Sequence, residues 1–449
     1  MNTQIISGAI PFRDALRFWL KLGFISFGGP AGQIAIMHRE LVERKRWISE
    51  KRFLHALNYC MVLPGPEAQQ LATYIGWLMH GTWGGIVAGA LFVLPSLFIL
   101  IGLSWIYVSF GTVPVVAGLL AGIKPAVTAI VLFAAWRIGL RTLKSPSLVA
   151  IAVASFMAIF VANMPFPLIV LIAALIGAIG GKWAPGQFAL GGPHKAPLQD
   201  SIALIDDHTP TPTHALFSWR RFLGYLTAGL LLWVSAMGLL IAMDPHNRTL
   251  AEMGWFFTKA ALLTFGGAYA VLPYVYQGAV ETFQWLTPQQ MIDGLALGET
   301  TPGPLIMVVA YVGYVGGWTK AVLGSEMLFA GAVLAAAVVT FFTFLPSFLF
   351  ILIGGPLVES THGRLKFTAP LTAITAAVVG VIVNLGVFFA WKVWWPNGSV
   401  TAPLGGGFDL FSATLTAIAA VVLMRNIAGI IPVIVACGIA GVIKTLMGY

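Results

Sequence analysis

Phe27-Gly28-Gly29 returns as Phe265-Gly266-Gly267, 238 residues later. Trp47 returns as Trp285, and Pro64-Gly65-Pro66 as Pro302-Gly303-Pro304, at the same offset of 238. Three landmarks that keep one register without a gap mark an internal repeat. Leu94-Pro95-Ser96 answers to Leu345-Pro346-Ser347, out of step by about a dozen residues, which places an insertion in the second half. The chain is therefore two homologous halves, 10–180 and 219–449. Residues 181–218 separate them. This stretch is rich in Pro and Gly, carries Asp200, Asp206, Asp207, His208 and His214, and reads as an exposed linker.

The halves are too apolar to fold in water. Of 449 residues 58% are hydrophobic and 9% charged, against about a quarter charged in a soluble globular domain. A soluble enzyme, a nucleic-acid binder and a disordered scaffold are excluded, and the partner implied is the lipid bilayer. At about 20 residues per span, this length predicts an all-α polytopic membrane protein with roughly 12–14 membrane segments or part-segments. The first segment, 12–27, contains Arg13, Arg17 and Lys21 and no small-residue cleavage site, so it is not read as a signal peptide.

Basic residues orient the halves. The loop 37–52 holds Arg39, Arg44, Lys45, Arg46, Lys51 and Arg52, whereas its counterpart, 275–290, holds no Lys or Arg. Further on the sign reverses: 104–113 has no basic residue, and the matching loop has Arg364 and Lys366. Because Lys and Arg stay on the cytoplasmic side, the halves are expected in inverted topology, with a site near the midplane where they meet. The 37–52 stretch reads as an interfacial segment on anionic headgroups, and Lys124, Arg137 and Arg141 as interfacial charges.

The repeated breaks carry the functional expectation. Proline removes a backbone donor, and glycine permits the turn that follows. Freed backbone groups in lipid must be buried in protein or face water, so breaks kept in both halves predict discontinuous or re-entrant helices whose ends point inward. Half-helix N-termini hold anions. The candidate substrate-binding set is Phe27, Gly28, Gly29, Phe265, Gly266 and Gly267 with Pro64, Gly65, Pro66, Pro302, Gly303 and Pro304. A plain kink is the simpler reading, and Gly81, Gly85 and Gly89 are read as close-packing glycines. Lys21 and Lys259 recur six residues before each Phe. A snorkelling lysine needs no fixed repeat position, so the pair is expected to supply charge to a divalent anion. Ser26 and Thr264 are candidate hydroxyl donors. Glu67 and Glu299, beside the Pro-Gly-Pro breaks, are proton-coupling candidates, though Glu67 also suits the first turn of a helix. Asn58, Gln69, Gln70, Thr300 and Thr301 are polar neighbours.

No cofactor is implied. Cys60, Cys437 and the scattered histidines form no metal-ligand spacing. No G-x-x-x-x-G-K-[ST] phosphate loop occurs, so transport would be driven by a gradient or the membrane potential rather than by ATP.

The stretch SFGGPAGQIAIMHRELVERKRWIS followed by LPGPEAQQLATYIGW resembles the chromate ion transporter family, and TFGGAYAVLPYV with ETTPGP resembles the second repeat of its long-chain members. The resemblance covers nearly the whole chain. It implies a secondary transporter of the bacterial inner membrane that exports chromate and confers resistance, with sulfate as a related substrate. It places signature positions at Phe27, Gly28, Gly29, Pro30, Trp47, Pro64, Gly65, Pro66 and Glu67. The second repeat departs from the first at Ala268 and Leu305, which puts equal use of both halves in doubt. The residues alone support a small divalent anion; a sulfate permease, an anion channel and a homodimeric assembly stay open. Expelling a divalent anion from a negative interior gains about 4.6 kcal/mol per 100 mV.

Overall fold

The computed structural model describes residues 10–27, 29–188, 203–206, 212–243, 248–361, 368–398 and 402–447. The first half forms α1 (Phe12–Ile25), α2 (Gly29–His38), α3 (Glu50–Val62), α4 (Glu67–Phe110), α5 (Pro114–Thr142), α6 (Pro146–Ala162) and α7 (Phe166–Trp183). A connecting helix, α8 (Trp219–Met243), follows. The second half forms α9 (Thr249–Leu263), α10 (Ala268–Tyr276), α11 (Pro288–Thr300), α12 (Val308–Thr319), α13 (Leu328–Thr361), α14 (Thr368–Trp394), α15 (Leu410–Met424) and α16 (Ile430–Leu446). Among the described residues six helical stretches are long and apolar enough to cross a bilayer, and four apolar helices are shorter. This is an all-α, multi-pass membrane protein. The loop holding Arg364 and Lys366 lies outside the described residues.

The sequence repeat persists at the level of single hydrogen bonds. α2 runs into a π-helical stretch, Arg39–Arg44, and α10 into another, Gln277–Thr282. Each is followed by a residue at φ 51°, Arg46 and Gln284. Trp47 N–H then donates to Leu41 O (2.8 Å), and Trp285 N–H to Ala279 O (2.7 Å). The hydroxyls of Ser49 and Thr287 cap α3 and α11. Both tryptophans are buried, so each anchors its reversal in a core.

α4 folds back on itself: non-helical geometry at His80 and Gly81 (φ 65°, ψ −156°) divides it into two helices that pack side by side, with Gly76 against Gly84 and Ala88. The second half opens the same point into separate α12 and α13, which is where its extra residues sit. Gly85 abuts Trp77, and Gly89 abuts Thr73 and Phe348, as expected of packing glycines. Gly81 instead is the break itself, with only His214 near its open side. α8 has no counterpart in the first half and precedes the repeated part. Leu230, Leu231 and Leu239 on it are exposed, as a lipid-facing helix requires.

The halves interlock rather than sit side by side. The later part of α4 contributes Val93, Leu97 and Leu100 to the larger core, which α5, α6 and α7 share with the helices of the second half. The end of α13 returns Ile351 and Leu352 to the core of the first. Likewise α5 packs on α15 and α16, while α14 packs on α6 and α7. These crossings use small residues. A Cβ on Gly122 would collide with the Cys437 carbonyl, and one on Gly441 with the Gly118 carbonyl. Close backbone approach replaces a hydrophobic driving force that lipid does not supply. Cys60 and Cys437 are both buried and free.

The linker is not simply exposed. Ser49 N–H donates to Ile205 O (2.9 Å), Ile205 N–H to Trp47 O (3.0 Å), and Leu204 N–H to Arg46 O (3.1 Å). His214 Nε2 lies 2.9 Å from Trp77 O. Its described pieces are thus tied to the first half.

Gly441→Val is expected to destabilise the fold by about 1–3 kcal/mol through overpacking of α5 against α16. Thermal unfolding of the full chain in detergent checks this, with Ile439→Val, on an exposed position of the same helix, expected to stay within experimental error of the wild type.

Candidate functional site

Every break ends one helix and starts another. α1 stops and α2 starts at the first Phe-Gly-Gly, and α9 and α10 do so at the second. At the first Pro-Gly-Pro, α3 stops and α4 starts; at the second, α11 stops and a short turn, Leu305–Met307, leads into α12. Four helical N-termini therefore follow the breaks; the N–H groups of Ala270, Met307 and Val308 already donate within their own turns. Gly28 lies outside the described residues.

The breaks of one half close on those of the other. Gly65 N–H donates to Thr264 O at 2.7 Å. Gly303 N–H donates to Ser26 O at 2.8 Å. The two bonds are equivalent under the repeat, so the halves meet through a reciprocal contact of the kind a two-fold relation generates. Gly65 (φ 124°) and Gly303 (φ 105°) adopt a conformation that L side chains rarely take. Space is also short there: a Cβ on Gly65 would strike the Ser347 hydroxyl, and one on Gly303 would lie 2.8 Å from Ser96 Cβ. Thus the Leu-Pro-Ser segment of each half's long helix covers the Pro-Gly-Pro turn of the other half.

Buried polar atoms collect at these turns. Ser96 and Ser347 are each 1% exposed, and neither Oγ has a hydrogen-bond partner. Gln33 Nε2 donates to Gly303 O, and Gln70 Nε2 to Pro64 O (2.7 Å). Gln69 Nε2 donates to Thr73 Oγ1 (2.9 Å). All three glutamines are fully buried with Oε1 unpartnered. Burying a polar atom without a hydrogen bond costs about 1–3 kcal/mol, so such a cluster in the middle of a lipid-embedded fold points to something that visits it.

The other expected site residues divide. The Ser26 and Thr264 hydroxyls donate into their own helices, to Leu22 O and Ala260 O. Their carbonyls, not their hydroxyls, face the opposite half. Phe27 and Phe265 are half-buried at the ends of α1 and α9, Gly29 and Gly266 are half-buried, and Pro66, Gly267, Pro302 and Pro304 are buried. Pro64 supplies the acceptor for Gln70. Glu67 is partly buried at the start of α4. Glu299 is 8% exposed and accepts from Tyr269 OH at 2.7 Å.

The lysines take separate places. Lys21 is exposed on α1 and lines a hollow of about 460 Å³ with Asp14, Arg17, Glu40 and Trp47. Lys259 Nζ rests 5.8 Å from the ring centre of Trp255, itself exposed. Among the described residues, neither makes a hydrogen bond or ion pair with the breaks.

Two charges expected at the interface are inside the fold. Lys124, in the interior of α5, pairs with Asp293 of α11 (Nζ to Oδ1, 3.4 Å). Arg52 is 7% exposed; it pairs with Glu359 (2.7 Å) and donates to Asp206 O (2.8 Å), while Tyr74 OH also donates to Glu359. Long-range pairing overrides loop position in both cases. Gln33, Ser96 and Ser347 were missed as site residues. For the serines a signal existed, because Leu-Pro-Ser is itself repeated, but its distance along the chain from Pro-Gly-Pro hid the contact.

A membrane fold of two interlocked repeats, with broken helices converging on buried polar atoms, is that of a transport protein rather than an enzyme. The chain belongs to the chromate transporter family, whose profile, described as "Chromate transporter", matches residues 13–178 and 251–442. It is 30% identical over 448 residues to the "Chromate transport protein" of Pseudomonas aeruginosa, covering 98% of this chain and 94% of that one. It is 29% identical over 380 residues to the "Chromate transport protein" of Cupriavidus metallidurans, covering 84% and 82%. A "Probable chromate transport protein" of Synechococcus elongatus is also 29% identical, over 384 residues. No solved structure matches.

Gly303→Ala is expected to cost about 1–3 kcal/mol through backbone strain and the clash with Ser96. Ser96→Gly in the same chain should recover part of that loss. Unfolding of the three variants in detergent tests it, with Gly324→Ala, at a positive φ in open space, reporting strain alone.

Proposed function

We propose that this protein is a secondary transporter of the bacterial inner membrane that exports chromate and thereby confers resistance, with sulfate as a competing oxyanion. The carrying observation is the reciprocal closure of the Pro-Gly-Pro and Phe-Gly-Gly breaks beside unpartnered Ser96 and Ser347. Helix N-termini offer N–H donors to an oxyanion without a fixed cation, as they do for phosphate and sulfate. Ser96 and Ser347 add hydroxyl donors, one from each half. The free Oε1 atoms of Gln33, Gln69 and Gln70 suit the O–H of a protonated oxyanion or of an accompanying water. A neutral cradle holds an anion weakly enough to release it, which turnover requires.

The paired bonds also support the inverted-repeat reading, since alternating access in such folds moves one repeat against the other around a shared site. Exchange of the Gly65 and Gly303 contacts between the two orientations would do this with little loss of hydrogen bonding. Lys21 and Lys259 we read as charges that draw an anion towards the site rather than hold it. Glu67 and Glu299 are the carboxyls next to the breaks and remain candidates for a proton step. The membrane potential alone would sustain a gradient of a divalent anion of roughly a thousandfold at about 100 mV.

Labelled chromate uptake into inverted membrane vesicles tests the proposal. The Ser96→Ala/Ser347→Ala double variant is expected to lose about tenfold or more in flux at unchanged expression, in line with the loss of one or two site hydrogen bonds. Lys21→Ala and Lys259→Ala should raise the half-saturating concentration only a few-fold, more at low salt than at high salt. Abolished flux in the lysine variants, with the serine variant unaffected, would move the site to the lysines. Sulfate competition separates chromate preference from a general oxyanion permease, and saturation with counterflow separates a carrier from a channel.

A further inference from the structure

The breaks are not the only place where buried polar chemistry gathers. Asp293 is 4% exposed in the middle of α11. Lys124 Nζ of α5 lies 3.4 Å from its Oδ1, and Tyr107 OH of α4 donates to its Oδ2 at 3.0 Å. Tyr311 of α12 meets Tyr107 edge to face, with ring centres 5.5 Å apart. Its hydroxyl is buried and has no hydrogen-bond partner, and Asp293 Oδ1 likewise has none beyond the ion pair. These are the titratable side chains that α4, α5 and α12 turn towards Asp293.

The repeated scaffold does not require this pair. At the position equivalent to Asp293 the first half has His55, and at the position equivalent to Lys124 the second half has Thr375. A buried ion pair in a bilayer is costly and marks function by default. The second buried ion pair, Arg52–Glu359, sets a useful contrast. There both charged side chains are under 10% exposed, the distance is 2.7 Å, and the Asp206 carbonyl and Tyr74 hydroxyl complete the hydrogen bonding. That pair is satisfied and acts as a clasp between α3, α4 and α13. The Lys124–Asp293 pair is longer and under-satisfied, and Lys124 is 26% exposed. A carboxylate held by one loose cation and one hydroxyl loses little when it takes up a proton, and the lysine then has room to turn away.

We propose that Asp293 is the proton-carrying group of the transport cycle and that Lys124 is its counter-ion, so that oxyanion movement is coupled to a proton. The step is balanced: the Asp293 carboxylate takes one proton at one face of the membrane, the ion pair opens, and the same proton leaves at the other face when the pair re-forms. Asp293 lies on the helix that ends at the second Pro-Gly-Pro, so opening the pair frees the element that carries Gly303. Tyr107 is a positioning residue. This inference rests on the transport reading above.

The experiment uses the full chain in proteoliposomes, with the potential clamped and chromate as the probe. Two fluxes are compared: net flux driven by an imposed pH step, and chromate–chromate exchange at equal pH. In the wild type both are expected. Asp293→Asn should lose the pH-driven flux by about tenfold or more while exchange persists, because a permanently neutral carboxamide no longer needs the proton. Tyr107→Phe should shift the pH profile without abolishing coupling. A wild-type response to the pH step in Asp293→Asn overturns the proposal, as does its loss in Glu299→Gln alone. If Asp293→Asn carries no exchange, Asp293→Glu decides: restored exchange and pH response support the carboxyl, and failure to restore them makes Asp293 a packing residue. Exchange in the wild type without any pH response sinks the coupling but leaves transport standing, whereas absence of exchange in the wild type sinks the transport reading itself.

Discussion

The structure turns on two backbone hydrogen bonds, Gly65 N–H to Thr264 O and Gly303 N–H to Ser26 O. In a bilayer no water is at hand to satisfy backbone freed by a helix break, so eight helix ends at the breaks must find partners in protein. At the Pro-Gly-Pro turns each half meets part of this need with the other half's break. That mutual dependence explains why the halves interlock, why α4 and α13 each cross into the opposite core, and why glycine stands at both turns. It also explains why neither half is expected to hold its breaks open alone.

Interlocking has a mechanical consequence. Serines on the crossing helices cover the turns, so any shift of α4 against α11, or of α13 against α3, alters the cradle and the helix contacts together. The small-residue contacts of Gly122 with Cys437 and of Gly441 with Gly118 bring α5 and α16 into close backbone contact. The buried ion pairs sit on these same helices, Arg52–Glu359 joining α3 to α13, and Lys124–Asp293 joining α5 to α11.

The symmetry is incomplete, and the departures are informative. The first half carries Glu67 where the second has Leu305, while the second carries Asp293 where the first has His55. Gln33, which reaches across to Gly303 O, faces Val271 at its equivalent place. A two-fold backbone frame with different side chains on its two faces can bind one substrate in a single orientation and still alternate.

The repeat, the membrane class and the location of the breaks were legible in the sequence, because they rest on local chemistry. Apolar runs must be helical in lipid, and Pro and Gly interrupt helices wherever they stand. The fixed offset of 238 even carried over to the π-helical stretches and the tryptophan anchors. Which side chains meet was not legible. Lys21 and Lys259 share a repeat position, yet the rotation of α1 and α9 turns Lys21 outward and lays Lys259 over Trp255. Ser96 and Ser347 reach the turns only because α4 and α13 cross into the opposite half. Lys124 and Arg52 looked like surface charges until α11 and α13 brought Asp293 and Glu359 to them. Sequence determines where a chain must break and what each segment can bury; helix rotation and crossing, which depend on every packed neighbour at once, decide which polar groups face each other.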